Sequence, residues 1–322
     1  MKSQGIKIQE NIPLAPFTTF KIGGPARFFC EVSSEEEISE ALRCAKDNNL
    51  KIFVLGGGSN ILISDDGFDG LVIRILNTSC IIHDTSIECG AGLSFSKAVG
   101  LAKENSLSGL AWAAGIPGSV GGAIRGNAGA YGGEIKDCIE SVKVVEIMQN
   151  ANLKNKNDNA KLKIFTNSEC GFNYRSSIFK QNQNLIILSC VLKLEKGDKA
   201  GIEAKMKEVI GKRAQKIPTD PSPGSFFQNP TVTNKNLIAR FEKDMETSCR
   251  DSKLPAGWLI DETGLRGKKI GGAMVSEKHA NFVVNIGGAK AQDIMMLASY
   301  IKMKVRDELG VQLKEEIQYV GF

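Results

Sequence analysis

Residues 115–133 read GIPGSVGGAIRGNAGAYGG, and eight of these 19 residues are glycine. Glycine inside a helix or strand costs roughly 0.5–1 kcal/mol relative to alanine, so this density predicts an ordered loop with little regular structure. Ile116, Val120, Ile124 and Tyr131 interleave it with apolar anchors, which flexible Gly/Ser linkers lack. Such a loop brings backbone against something flat or charged. A second cluster lies upstream. Gly56-Gly57-Gly58-Ser59-Asn60 directly follows Lys51–Leu55, which reads as a short buried strand. A glycine turn after a strand lets backbone N–H groups approach an anion such as a pyrophosphate. The cluster is not the G-x-G-x-x-G fingerprint: its glycines are consecutive and Ile61 stands in the third glycine's place. It has no P-loop lysine either. Two such loops suit an extended dinucleotide.

Outward from the loops, helix and strand patterns alternate. Residues 17–30 read as an extended segment. Ser34 and Glu37 form an S-x-x-E capping box, and Ile38, Ala41, Leu42 and Ala45 follow at helical spacing. Leu71–Ile75 is a strand, so the opening is a β-α-β unit. Cys80–Ile82 and Ser86–Cys89 predict a hairpin, and Ser94–Asn105 a helix with Phe95, Ala98, Val99 and Ala102 inward. Val142–Met148, Ile164–Thr166 and Leu185–Leu194 continue a sheet, with a polar hairpin tip at 149–163. Ile202–Lys216 is a helix whose lysines read as a solvated face. IPTDPSPG, residues 217–224, holds three prolines and marks a domain boundary. Beyond it come a helix near Gly257–Thr263, strands at Ala273–Ser276 and Asn281–Asn285, a helix over Ala291–Leu309 ended by Gly310, and a last strand, Val311–Val320.

Composition narrows the class. A chain of 322 residues holds two domains or one large one, at about 100–200 residues each. Hydrophobic content of 42% and charged content of 24% exclude collagen-like, disordered and coiled-coil chains. The 34 glycines exceed the usage expected for this length, about 22. No apolar run reaches the ~18 residues of a membrane-spanning helix. MKSQGIKIQENIPL lacks a signal-peptide core, so a cytoplasmic protein with eight reduced, buried thiols is expected. No CxxC pair and two histidines argue against a metal site. A net charge of +5 suits an anionic ligand but is too weak to imply nucleic acid.

In order along the chain, FTTFKIGGPA, VLGGGSNILI, GLAWAAGIPGSVGGAIRGNAGAYGGEI, GFNYRSSIFK, PSPGSFFQNP, AGWLIDETGLRGKKIGGAMVS and GVQLKEEIQYVG resemble the UDP-N-acetylenolpyruvoylglucosamine reductases. The resemblance runs from about Asn11 to Gly321. It implies an α+β fold with two N-terminal α+β subdomains, 1–76 and 77–216, forming a PCMH-type FAD-binding module. A C-terminal α/β substrate-binding domain, 217–322, follows. It also implies an NADPH-dependent flavoenzyme that makes UDP-N-acetylmuramate for peptidoglycan. The implied partners are a UDP-sugar and NADPH, with no nucleic acid and no membrane insertion, and a monomer is expected.

The resemblance assigns residues. Gly56, Gly57, Gly58, Ser59, Asn60, Ile116, Pro117, Gly118, Ser119, Asn127, Ala128, Gly129, Ala130, Tyr131 and Gly132 would cradle FAD, held noncovalently because neither His83 nor His279 lies in a glycine loop. Arg175 would be catalytic, beside Tyr174. Ser225 would donate a proton, and Glu316 would be the catalytic glutamate of the last strand. Tyr174, Lys216, Asn229 and Arg266 would hold the substrate. Each has a plain competitor: a surface arginine, a turn serine, a solvated lysine. Strand alternation puts Glu316 with Lys314 and Gln318 on a solvated face, so periodicity alone does not select it. Where the family commonly has L-E-P-E-V, this chain has Leu313-Lys314-Glu315-Glu316-Ile317. Only 49 residues separate Arg175 from Ser225, which implies the branch of the family lacking an inserted tyrosine loop. Two other readings stay open from the residues alone: an oxidase of another substrate on the same scaffold, and a non-catalytic flavin- or nucleotide-binding module.

Overall fold

The S-x-x-E signal opens a helix over Glu35–Asp47, where the Ser34 side chain accepts the Glu37 N–H. The reciprocal bond is displaced by one residue, since the Glu37 carboxylate takes the Ser33 N–H at 2.6 Å. Ile38, Ala41, Leu42 and Ala45 are buried, as their spacing requires. The computed structural model of the chain describes residues 5–147 and 160–322. Met148 and most of the expected hairpin tip, residues 149–159, lie outside the described residues. No helix among the described residues is long and apolar enough to cross a membrane.

Two compact units form, each discontinuous in sequence. The first comprises residues 1–12, 26–57 and 69–215; the second comprises 13–25, 58–68 and 216–322. In the first unit, one sheet has the strand order Ile8–Pro13, Pro25–Val32, Phe68–Ile75, Lys51–Leu55. Its last two strands are parallel, but no helix joins them: the helix Glu35–Asp47 leads from Pro25–Val32 to Lys51–Leu55, and Phe68–Ile75 inserts between those two strands. A second, antiparallel sheet runs Ala160–Thr166, Ile139–Ile147, Leu185–Lys193, Ser86–Gly90, Cys80–Ile82. The helix Phe95–Glu104 buries Phe95, Ala98, Val99 and Ala102. Six of the eight cysteines are buried and all are free thiols. Burial pushes the Cys30 thiol up to about 12 and Cys190 well above its ordinary value.

The glycine-rich segment departs from expectation. Val120–Arg125 forms a helix inside it. Gly121 and Gly122 should each cost about 0.8–1 kcal/mol there. Three buried side chains, Val120, Ala123 and Ile124, offset this, and the Ser119 hydroxyl caps the helix by accepting the Gly122 N–H. Expectation also misses the strand Ile8–Pro13 and an amphipathic helix, Lys235–Met245, which Asn234 caps and which buries Leu237 and Phe241.

The second unit holds a three-stranded antiparallel sheet, Lys269–Ile270, Ala273–Val275 and Val283–Asn285. The helices Ala256–Glu262 and Ala291–Leu309 contribute to its core, the longer one through Ile294, Leu297, Ile301 and Val305. Segments 13–25 and 58–68, expected in the first subdomain, belong here instead. The strand Ile61–Ile63 pairs in parallel with Gln318–Val320. Asp65 Oδ1 accepts the Ala291 N–H at 2.9 Å, and Asn285 Nδ2 donates to Phe20 O at 3.1 Å. The expected ten-residue final strand is thus reduced to Gln318–Val320. The preceding residues spend their backbone bonds on the loop that carries Ser225.

Candidate active site

In the first unit the two glycine loops meet backbone to backbone. A Cβ on Gly57 would lie 2.5 Å from Gly118 Cα, and one on Gly56 would lie 2.6 Å from Ser119 Oγ. Only glycine permits this approach. Gly118 itself has φ +112°, a conformation side chains rarely adopt. The second loop is pinned from behind, because Gly118 O accepts the Phe95 N–H at 3.0 Å and Ile116 O accepts the Ser96 hydroxyl at 3.1 Å. Gly56 and Gly57 therefore pack directly on Gly118 and Ser119, and any larger residue would force the two loops apart. These residues fit FAD. Arg213, read from sequence as part of a solvated face, lies against Gly115: a Cβ there would approach Arg213 Nε to 3.2 Å. Burial pushes its guanidinium below the ordinary arginine range, with the nearby Tyr131 opposing that shift. A desolvated cation beside the glycine loop suits a diphosphate.

The NAGAYG stretch joins the same surface to Tyr174 and Arg175. Asn127 is fully buried with φ +43°. Its Nδ2 donates to Asn173 O at 2.9 Å and to Glu134 Oε2 at 3.1 Å. Asn173 and Ser176 exchange both backbone bonds, leaving Tyr174-Arg175 as a two-residue turn. Arg175 sits at φ +53° in that turn. Its Nη2 donates to Gly129 O at 2.8 Å, and its guanidinium lies 5.2 Å from the Tyr174 ring centre. Glu134 was missed by sequence. Burial would raise its pKa, but hydrogen bonds from Lys136 and Asn127, with the charges of Lys136 and Arg175, hold it below the ordinary value. The signal available was a lone carboxylate directly after NAGAYGG.

The second unit brings Ser225, Glu316 and Asn60 together. Ser225 is half-buried, and it follows Gly224 at φ +84°. The next residue, Phe226, accepts the Glu316 N–H at 2.8 Å through its carbonyl. Asn60 Nδ2 donates to Glu316 O at 3.2 Å. Gly58 is locked beside it, since a Cβ would lie 2.0 Å from Phe17 O. Neighbouring carboxylates have different duties. Glu315 pairs with Lys302 at 2.8 Å, whereas Glu316 has its backbone held from both sides.

Of the residues expected at the substrate, Lys216 is exposed, and its charge reaches His279 along with that of Arg266. Arg266 Nη2 bonds Asp261 Oδ2 at 2.7 Å and its Nη1 bonds Glu277 O at 2.6 Å. Arg266 Nε also donates to Asp261 Oδ1 at 2.5 Å, and the bidentate pairing holds the Asp261 carboxyl low. Asn229 is exposed, with Oδ1 accepting the Ala256 N–H at 3.0 Å. Both Arg266 and Asn229 thus carry structural duties that sequence did not reveal.

Comparisons with known proteins converge on these same segments. Residues 26–148, which hold both glycine loops, match the FAD binding domain family. Residues 215–320 match the family described as UDP-N-acetylenolpyruvoylglucosamine reductase, C-terminal domain. The chain is 40% identical over 317 residues to the UDP-N-acetylenolpyruvoylglucosamine reductase of Carboxydothermus hydrogenoformans, covering 98% of this chain and 94% of the relative. It is 38% identical over 323 residues to that of Lactobacillus delbrueckii subsp. bulgaricus, covering 100% and 98%. The crystal structure of the Thermus caldophilus reductase is similar with a TM-score of 0.75 at 31% identity, over 98% of this chain and 99% of that one. With the match extending over both units, the chain belongs to the UDP-N-acetylenolpyruvoylglucosamine reductase family.

Proposed function

We infer that this chain reduces UDP-N-acetyl-3-O-(1-carboxyvinyl)-glucosamine to UDP-N-acetylmuramate, with NADPH as electron donor and noncovalent FAD as cofactor. The observation that carries the reading is the bond from Arg175 to Gly129 O at 2.8 Å. It fastens a permanent cation to the glycine loop assigned to the flavin. When bound, FAD would supply the redox chemistry that links NADPH oxidation to hydride delivery at C3 of the enolpyruvyl group. Gly56–Asn60, Ile116–Ser119 and Asn127–Gly132 hold the cofactor, and Arg213 is the cation available to its diphosphate.

The chain's own residues handle the charge and the proton. Hydride at C3 leaves negative charge at C2 that spreads into the carboxylate. Arg175 stabilises it, being planar, permanently charged and able to bind a carboxylate bidentately. Ser225 gives its hydroxyl proton to C2, a carbanion-like centre more basic than the serine alkoxide left behind, and that alkoxide regains a proton from water before the next turnover. Glu316 acts in its protonated form, donating a hydrogen bond to the developing enolate. Tyr174, Lys216, Asn229 and Arg266 hold the sugar nucleotide. In this reading 26–57 and 69–215 serve FAD and 216–322 serves the substrate. The interval from Arg175 to Ser225 supports the branch without the tyrosine loop, because Ile178–Gln181, Leu185–Lys193 and Lys199–Lys216 occupy most of it.

Ser225→Ala tests the reading by anaerobic stopped-flow absorbance. Flavin reduction by NADPH should keep its wild-type rate, while reoxidation by the enolpyruvyl substrate should slow about 10²–10⁴-fold, the usual cost of a lost general acid. Ser225→Cys should recover part of the loss. Equal slowing of both steps would leave Ser225 a structural role only.

A further inference from the structure

We propose that Asn281 is the positioning residue that keeps Ser225 and Glu316 in register, an inference that rests on the roles given to those two residues above. Asn281 is a polar side chain only 4% exposed, in the connection between Ala273–Val275 and Val283–Asn285. Its amide substitutes for a neighbouring strand. Oδ1 accepts the Phe227 N–H at 2.9 Å and Nδ2 donates to the Phe227 carbonyl at 2.8 Å. Its own carbonyl accepts the Phe226 N–H at 2.8 Å. One residue thereby supplies three bonds to the two residues that follow Ser225.

The far edge of the same segment holds Glu316. Phe226 O accepts the Glu316 N–H at 2.8 Å, and Gln228 N donates to Lys314 O at 2.9 Å. Phe226 is therefore a rung with Asn281 on one side and Glu316 on the other. Phe226 and Phe227 are 0% and 1% exposed, so water has no access to replace a missing bond. Without the amide, the Phe227 N–H and C=O would be left buried and unpaired, and relief requires the segment to move. Ser225, one residue from the rung and entered through the left-handed Gly224, would move with it. A displacement of about 1 Å in a catalytic group can cost on the order of 10²-fold in rate. Asn281 itself is fixed from behind, where its N–H donates to His279 Nδ1 at 3.2 Å.

The test uses the full-length FAD-loaded protein in anaerobic stopped-flow, with Asn281→Ala and the milder Asn281→Ser. The inference expects reoxidation of the flavin by saturating enolpyruvyl substrate to slow at least about 10-fold, with substrate KM and NADPH-driven reduction changed less than about twofold. It further expects non-additivity. In a Ser225→Ala background, Asn281→Ala should add less than about twofold, because a positioning residue has nothing left to position. Where Asn281→Ala folds poorly, Asn281→Ser carries the same cycle. Wild-type reoxidation in the Asn281 variants, equal slowing of both half-reactions, or full additivity would overturn the proposal. A normal rate in Ser225→Ala would instead overturn the proton-donor role, and the cycle is then read in a Glu316→Gln background, where additivity overturns the proposal likewise.

Discussion

Arg175 holds a left-handed backbone conformation, φ +53°, that costs a non-glycine residue roughly 1–2 kcal/mol. The Asn173–Ser176 turn and the bond to Gly129 over-determine it, which is the setting in which strain is retained at functional sites. Arg175→Lys keeps the charge and loses the planar fork. We expect reoxidation of the flavin by substrate to slow about 10–100-fold, on the basis of roughly 1.5–3 kcal/mol for a hydrogen bond to a charged group. NADPH-driven reduction should be unaltered; an unaltered reoxidation rate would remove Arg175 from the enolate. A second prediction concerns His279. Burial, then the charges of Arg266 and Lys216, push its pKa below the ordinary value, so the fold holds it neutral. The unfolded chain takes up that proton as pH falls below about 6.5, so stability is lost in that direction. The thermal midpoint should fall between about pH 7.5 and about pH 5.5, and His279→Gln should flatten part of that slope. Parallel slopes in the two proteins would contradict it. At this scale the sequence was least legible. Alternation assigns Glu316 to a solvated face, because it presumes one regular strand. The backbone at Glu316 instead bonds Phe226 and Asn60, and no periodic pattern reports that.

Elements were more legible, and the reason is local. The Glu35–Asp47 helix carries its cap locally, and it, the Phe95–Glu104 helix and the Cys80–Gly90 hairpin carry their apolar spacing within a few residues. The helix Val120–Arg125 was hidden because glycine content argued against it, while the burial that stabilises it comes from distant chain. The two glycine loops were visible as loops, but their mutual contact was not. Gly57→Ala tests that contact. Its Cβ would meet Gly118 backbone at 2.5 Å, so one loop must shift. We expect purified Gly57→Ala to retain substoichiometric FAD, with a dissociation constant for added FAD raised at least about 10-fold, equal to about 1.4 kcal/mol. Wild-type FAD content would show that the close approach does not shape the cofactor site.

For the molecule as a whole, the proline-rich stretch at 217–224 announced a boundary, and the second unit's main body begins at Lys216. Nothing in the sequence announced that 13–25 and 58–68 belong with that unit, since the strand pairing of Ile61–Ile63 with Gln318–Val320 spans nearly the whole chain. The proposed site residues are likewise divided, with Gly56, Gly57, the second glycine loop and Arg175 in one unit and Gly58–Asn60, Ser225 and Glu316 in the other. The central claim is that a carbon–carbon double bond, and not dioxygen, is the natural oxidant of the reduced flavin. It is tested by bleaching the flavin of the wild-type protein with one equivalent of NADPH under argon. UDP-N-acetyl-3-O-(1-carboxyvinyl)-glucosamine is then added while absorbance and nucleotide products are followed. The flavin band should return without air, and UDP-N-acetylmuramate should form mole for mole with the NADPH consumed. A flavin that stays bleached until oxygen is admitted would contradict the claim and favour an oxidase.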